Sequence, residues 1–364
     1  MNAVAALLAA IWGELKDLPL SGPRARQATA AALAVGATVI LALMLRLDNP
    51  WWAGISAFMC TQASQPQSLQ KGVLRIAGTI AGALLSFIVA RWAFYDPVIA
   101  LLFLFTTSAV GIIGALLSPY GYAWLLGGIT AMMVTLGALD DPTQALPFAF
   151  YRTVEIVLGT VTALGVAQLL EPSGAGVGAS APGWRSLLGS HWYVLSHGIR
   201  TGLAVAAVPL VWRQLELPNL SQMAISIGAV MAVPVLSGVP DKDMAAIATR
   251  LMHRAAGCLL GGGVAMLMLA LPFSQLFLPW LLMLMAGAWV SMQIQIGPHN
   301  INVVGAQAGI ALILTLVQGW GPPESLLPAI DRIAGMLGAI GLLLLVSLLL
   351  GPPIAADAEP VSPA

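Results

Sequence analysis

Apolar residues fill this chain in long runs, separated by short polar or Gly/Pro-containing breaks. A bilayer core takes about 20 apolar residues per helix. On that measure Gln27–Leu45, Gly72–Ala90, Pro97–Leu117, Tyr120–Leu139 and Arg152–Leu170 read as spans in the first half. A shorter run, Trp51–Gln62, reads as a further span with a broken, polar tail, Ser64-Gln65-Pro66-Gln67-Ser68. The second half adds Gly198–Trp212, Leu220–Leu236, Arg250–Leu271, Leu276–Met292, Asn300–Val317 and Ile330–Leu350. The expected fold is an all-α polytopic membrane protein with about twelve transmembrane helices. Ahead of them, Ala3–Trp12 is apolar but has no basic residues before it, and Glu14, Lys16 and Asp17 follow. That pattern reads as a short interfacial helix and not as a signal peptide.

The halves resemble each other. Arg75-Ile-Ala-Gly-Thr-Ile-Ala-Gly82 parallels Arg254-Ala-Ala-Gly-Cys-Leu-Leu-Gly261, and both stretches open a glycine-rich span. Arg152 precedes Pro172 at the same spacing as Arg332 precedes Pro352, and Arg26 and Arg200 each lead into a small-residue span. Three arginine landmarks in one order imply two parallel six-helix repeats, related by an axis along the membrane normal. The domains expected are an N-terminal membrane repeat (1–172), a cytoplasmic linker (173–190) rich in Gly, Pro, Ser and Ala, a C-terminal membrane repeat (191–352) and a disordered tail (353–364).

Composition agrees with the pattern. Hydrophobic residues make up 59% and charged residues 8% of the 364, against about 25% charged in soluble chains; mean hydropathy is +0.90. A formal net charge of +0 argues against nucleic acid as a partner. Cys60 and Cys258 stand in different halves with no Cys/His cluster, so neither a disulfide framework nor a metal site is expected. With the N-terminus inside, Lys16, Arg24, Arg26, Lys71, Arg75, Arg185, Arg200, Lys242, Arg250 and Arg254 fall on the cytoplasmic side, and Arg46, Arg91, Arg152, Arg213 and Arg332 on the other. This bias places both termini in the cytoplasm.

The run Leu45-Arg-Leu-Asp-Asn-Pro-Trp-Trp-Ala-Gly-Ile-Ser56, followed by Lys71-Gly-Val-Leu-Arg-Ile-Ala-Gly-Thr-Ile-Ala-Gly82, resembles the FUSC family of fusaric acid resistance proteins and aromatic carboxylic acid exporters of bacterial inner membranes. The Pro-Trp-Trp-Ala turn and the Arg-Ile-x-Gly-Thr-x-x-Gly helix carry the likeness. Plant aluminium-activated malate transporters are distantly similar in their membrane part. The resemblance implies a multi-pass bacterial inner-membrane transporter for small organic anions. It would export aromatic or related carboxylates by secondary active transport. A passive organic-anion channel, or a membrane enzyme or scaffold in envelope metabolism, are the alternatives. The partners expected are the lipid bilayer and the organic anion, with a homo-oligomer and a periplasmic adaptor protein left open. Full-length exporters carry a large cytoplasmic domain where this chain has the linker Glu171–Ser190. No P-loop, HExxH or Gly-x-Ser-x-Gly is present, so neither an enzyme nor a cofactor is expected.

An anion carrier needs fixed positive charge or oriented N–H groups where the carboxylate rests. Arg75 and Arg254, at the starts of glycine-rich spans, are candidates for substrate binding, the other reading being orientation anchors. Arg152 and Arg332 run against the charge bias and are candidates for the same role. Glu155, one turn after Arg152, is the carboxylate placed well inside a span. It is either the structural partner of Arg152 or a proton-coupling group whose protonation depends on substrate at Arg152. Tyr120, Tyr122 and Trp124, with His299, Asn300 and Asn302, occupy equivalent Gly/Pro-interrupted breaks. They are candidates to hold an aromatic ring and its polar groups, or form an interfacial belt and a tight turn.

Overall fold

The computed structural model of the protein describes residues 3–93, 96–171, 183–188, 191–215, 220–232, 240–323 and 325–350. Among them there is no strand, and 85% of them are helical. The short leading helix α1 is Ala3–Lys16. The first half continues with α2 (Gly22–Met44), α3 (Pro50–Cys60), α4 (Gln65–Ala93), α5 (Pro97–Leu117), α6 (Gly121–Asp140) and α7 (Ala145–Leu170). The second half gives α8 (Tyr193–Leu215), α9 (Leu220–Met231), α10 (Pro240–Leu269), α11 (Phe277–Gln295), α12 (Asn302–Leu316) and α13 (Leu327–Leu350).

Each of the twelve apolar stretches read as a span overlaps one of α2–α13. Among the described residues nine helices are long and apolar enough to cross a bilayer, and α12 is a shorter apolar helix. At 1.5 Å per residue α3 and α9 reach only about 16 to 18 Å, short of a hydrocarbon core about 30 Å thick. The largest departure from the hydropathy reading is at the starts of α4 and α10. The polar stretch after α3, expected as a broken tail, opens α4 at Gln65, and α10 opens at Pro240. Arg75 and Arg254 therefore lie within helices and do not begin them. The linker expected at 173–190 lies outside the described residues except for a 3-10 turn at Trp184–Leu188 with its neighbour Gly183, and 353–364 lie outside altogether.

The chain divides into two compact units, each drawing on both halves of the sequence. One unit comprises 1–76, 150–177 and 252–333; the other comprises 77–149, 178–251 and 334–364. In the first, α11 and α12 pair with each other, α11 packs on α2, and α12 packs on α3. In the second, α5 and α6 pair with each other, α5 packs on α8, and α6 packs on α9. The pairing scheme is the same in both, with the halves of the sequence exchanged.

Glycines set the closest approaches in each unit. In the second, Gly78 and Gly82 of α4 lie against the carbonyls of Ala123 and Gly127 on α6. In the first, Gly257 and Gly261 of α10 lie against the carbonyls of Val304 and Ala308 on α12. With lipid as solvent no hydrophobic drive brings helices together, so backbone-to-backbone packing over small residues carries the association. The ends of the short helices are also satisfied. Gln62 Nε2 donates to the carbonyls of Met59 and Thr61 at the end of α3. Arg250 Nε donates to Ala229 O, and His197 Nε2 pairs with Met231 O, at the end of α9. Inside a membrane such ends need partners from the protein.

α1 is fixed to the first unit by a buried charge. Glu14 is fully buried and pairs with Arg24 of α2. Its Oε1 accepts from the backbone N–H of His299 at 2.9 Å and lies 2.8 Å from His299 Nδ1. Gly13 and Gly297 leave room for this pair, since a Cβ on either would meet His299 or Glu14. Leu7 packs in a cluster with Ile294, Ile301 and Val304, while Val4, Leu8 and Trp12 are exposed along the other face.

Two outcomes follow from these contacts. Gly261→Ala should lower the melting temperature in detergent, because its Cβ would enter the Ala308 carbonyl, whereas Gly262→Ala faces open space and should hold or gain up to about 1 kcal/mol of helix propensity; equal melts for the two would deny the contact its importance. For Glu14, burial pushes the carboxyl up, but the His299 and Arg24 hydrogen bonds outweigh it and hold the carboxyl below its usual range. Such a group stabilises the fold above its unfolded pKa, and that stability drains away as pH falls. Melts taken from neutral to acid pH should fall in the parent and flatten in Glu14→Gln; an unchanged acid limb would assign the acid sensitivity elsewhere.

Candidate functional site

The strongest constellation of charge lies in the first unit around α3, and local backbone chemistry builds it. α2 ends at Met44, and Arg46 takes a left-handed conformation with φ 52. Arg46 N–H donates to Leu43 O at 3.1 Å, and Leu47 N–H to Ala42 O at 3.0 Å. This is a Schellman end with arginine where glycine is usual. Leu47 turns inward against Ala42 and Ala53, with Tyr151, Val154 and Leu158 of α7 packed on them. The reversal delivers Asn49 and Pro50 as the opening of α3, proline at the first helical position losing no needed hydrogen bond.

α3 then lies close to α7. A Cβ at Gly159 would meet Ala53 O and Ser56, and Cys60 Sγ is 3.7 Å from Thr160 Oγ1. Further up α7, Arg152 is only 2% exposed. Its guanidinium carbon lies over the ring of Trp52, 3.2 Å from the centroid, a cation–π contact. Arg152 Nε and Nη1 are buried and have no hydrogen-bond partner. Glu155, also buried, accepts the Asn49 backbone N–H at 2.7 Å and so holds the start of α3. Although Arg152 and Glu155 stand one turn apart, no ion pair joins them at contact distance. Arg75, 4% exposed, donates from Nε to Ser56 Oγ at 3.1 Å. Ser56 in turn donates to Trp52 O at 2.7 Å.

Of the candidate site residues named from the sequence, Arg75, Arg152 and Glu155 thus come together, and Trp52 and Ser56, which were not named as site candidates, join them. The other candidates stand apart from this group. Arg254 is buried on α10 of the same unit, one turn before the Gly257 contact with α12. The side chain of Arg332, on α13, lies outside the described residues. His299 is engaged with Glu14. Asn300 occupies the left-handed region with φ 58, and Asn302 Oδ1 accepts from Val303 N–H at 2.8 Å, so these two shape the turn into α12.

Tyr120, Tyr122 and Trp124 belong to the second unit at the start of α6. Tyr120 is exposed. Trp124 lies against Gly114 of α5 and edge-on to Trp184, ring centroids 5.3 Å apart. Trp124 also lines an apolar groove of about 390 Å³ with Gly78, Gly82, Gly111 and Gly128. The two threonines there spend their hydroxyls on their own helix, on Leu102 O and Phe103 O. That groove offers a carboxylate nothing. Among the described residues no group of three or more His, Cys, Asp or Glu is placed to hold a metal ion.

The chemistry available around α3 is therefore a desolvated guanidinium with unspent N–H groups, a second guanidinium nearby, a hydroxyl, and an indole face. Arginine in this setting fits a planar carboxylate by two parallel hydrogen bonds.

Comparison with known proteins bears on the same stretch of chain. Residues 24–181 match the model of the fusaric acid resistance protein family. The p-hydroxybenzoic acid efflux pump subunit AaeB of Musicola paradisiaca (strain Ech703) is 27% identical over 150 residues, 38% of this chain and 23% of that protein. Its counterpart in Edwardsiella ictaluri (strain 93-146) is 29% identical over 160 residues, 41% of this chain and 25% of that protein. The uncharacterized transporter YdhK of Salmonella typhimurium is 28% identical over 155 residues, 41% of this chain and 22% of that protein. The matches thus span about a quarter of the length of these relatives. No solved structure matches. The matched stretch, residues 24–181, includes the whole cluster of Trp52, Ser56, Arg75, Arg152 and Glu155 and is similar to the fusaric acid resistance protein family.

Proposed function

We propose that this chain is a multi-pass transporter of the bacterial inner membrane that exports small aromatic or related carboxylates by secondary active transport. The observation that carries the reading is Arg152. It is a guanidinium buried among apolar helices, resting on an indole ring, with Nε and Nη1 unpaired. An unpaired buried donor costs about 1–3 kcal/mol, more when it is charged. Two parallel hydrogen bonds to a carboxylate would remove that cost while the guanidinium keeps its place on the Trp52 ring. Arg75 adds positive potential, and Ser56 adds a hydroxyl. The names of the similar efflux pump subunits, which specify p-hydroxybenzoic acid, point to the same class of substrate.

In this reading both termini lie in the cytoplasm, and the bias in the distribution of Lys and Arg supports it. The two halves act as parallel six-helix repeats, with the recurrent pairing of α5/α6 with α8/α9 and of α11/α12 with α2/α3 in support. Arg254 and Arg332 are the second repeat's counterparts of Arg75 and Arg152. Glu155 is the coupling carboxylate, joined to the substrate site through Asn49 and α3.

The test is flux of 4-hydroxybenzoate and a panel of carboxylates from proteoliposomes, with and without a proton gradient. Arg152→Lys keeps the charge but loses the planar fork and its stacking. Flux should fall at least tenfold, the equivalent of about 1.4 kcal/mol, while the melting temperature stays near the parent's; parental flux in this variant would remove Arg152 from the site. Glu155→Gln mimics the protonated carboxyl at nearly constant volume. The parent's flux should vary with pH, and the Gln variant should lose that dependence. Retention of the parental pH profile would reduce Glu155 to a cap on α3, and flux indifferent to the gradient in the parent would make the protein a passive channel.

A further inference from the structure

A polar cavity lies in the first unit, at the other end of α7 from Arg152. It has a volume of about 200 Å³ and is lined by Arg24 and Arg26 with Gln27 at the start of α2, by Gln62 after α3, and by Glu171 after α7. From Arg152 to Glu171 the rise along α7 is about 28 Å, close to the full depth of a hydrocarbon core. The cavity is thus distinct from the Arg152 site.

Its charges are arranged unusually. Arg24 is committed, to Glu14 and to Gln293 O. Arg26 is not, and forms no ion pair among the described residues. Glu171 is only 6% exposed. Ser68 donates to its Oε2 at 2.6 Å, but its Oε1 is buried with no hydrogen-bond partner. An arginine and a carboxylate of opposite charge therefore line one cavity without meeting. The buried acceptor of Glu171 keeps a desolvation cost that a donating ligand group would remove, and the exposed Arg26 on the same cavity supplies charge for a carboxylate.

We propose that this cavity is the intake site of the transporter, and that it selects carboxylic acids bearing a second, hydrogen-bond-donating group. The ligand's carboxylate sits at Arg26, and its hydroxyl or ammonium donates to Glu171 Oε1. The proposal rests on the transport reading and deepens it: Arg152 reads the anion, and Glu171 reads the substituent. A site built to accept a donor rejects the analogue that lacks one far more strongly than an apolar pocket rejects a missing methylene.

The experiment is equilibrium binding of 4-hydroxybenzoate and of benzoate to the purified full chain in lipid nanodiscs. The parent should bind 4-hydroxybenzoate at least tenfold more tightly. Glu171→Gln, which keeps an acceptor for Ser68, should bring the two acids to within about threefold of each other by weakening the hydroxylated one. Arg26→Gln, at an exposed position, should weaken both acids. Arg152→Lys should leave the preference for the hydroxyl intact. Equal affinity of the two acids in the parent, or a full preference surviving in Glu171→Gln, overturns the intake site while leaving the Arg152 reading standing if Arg152→Lys still abolishes flux. Failure of the parent to bind either acid overturns both.

Discussion

A charge held within a membrane-spanning helix costs roughly 3 kcal/mol on insertion scales, and the arrangement around α3 answers to that cost at Arg152. The arginine is not neutralised by Glu155, although the two share a face of α7. Its guanidinium lies on Trp52, whose ring face supplies negative potential. The carboxylate is spent on a backbone N–H at the head of α3. Separating the two groups keeps the cation available, since a tight pair would have closed the site to any other anion. Unsatisfied buried donors in a folded protein need an explanation, and a carboxylate ligand supplies one with the right charge and geometry.

The cluster depends on a helix that is too short to span. α3 stops at Cys60 after about 16 Å, so it cannot bring both ends to the surfaces of a hydrocarbon core about 30 Å thick, and an end that lies within the core must be satisfied by protein groups. At the start, Glu155 takes the Asn49 N–H; at the finish, Gln62 covers the carbonyls of Met59 and Thr61. The left-handed Arg46 and the buried Leu47 turn the chain from α2 into this short helix. Gly159 then lets α7 approach closely enough for Arg152 to reach the Trp52 ring. The Pro-Trp-Trp-Ala run thus has a physical content: proline opens a capped half-length helix, and the second tryptophan floors a charged site.

Hydropathy located every helix from α2 to α13 because lipid-facing helices must be apolar over most of their length. It misplaced the starts of α4 and α10, since residues such as Gln65, Ser68 and Lys71 are helical without being apolar: hydropathy reports burial in lipid, not the end of a helix. Arg75, Arg152 and Glu155 stood out because charge is rare in such stretches. Trp52 did not, as a tryptophan near the end of an apolar run ordinarily belongs to an interfacial belt. The engagement of His299 with Glu14 joins residues at opposite ends of the chain, and no periodicity carries that information. The free oxygen of Glu171 was equally hidden, because it depends on where Ser68 and Arg26 lie in three dimensions.

On the proposed reading, the two ends of α7 divide the work of an exporter. An anion held in the cavity at Glu171 lies about 28 Å along α7 from Arg152, and since the Coulomb interaction falls with distance it perturbs Glu155 far less than an anion at Arg152 does. An anion that reaches Arg152 would offset the positive potential that Arg152 exerts on Glu155, and protonation would become easier. Binding of anion and proton at that end is then cooperative, which by itself favours their moving together. Export driven by an inward proton gradient requires the opposite sign over the whole cycle. The separation of the sites offers a way to obtain it. If the anion must leave Arg152 before Glu155 can release its proton, the empty Arg152 restores the potential that expels that proton, and the bare carboxylate returns to its hold on α3. Cooperation at one site is compatible with exchange across the membrane only if anion and proton depart to opposite faces. The direction of proton release from Glu155, rather than its affinity, is then the quantity that distinguishes an exporter from a symporter built on the same residues.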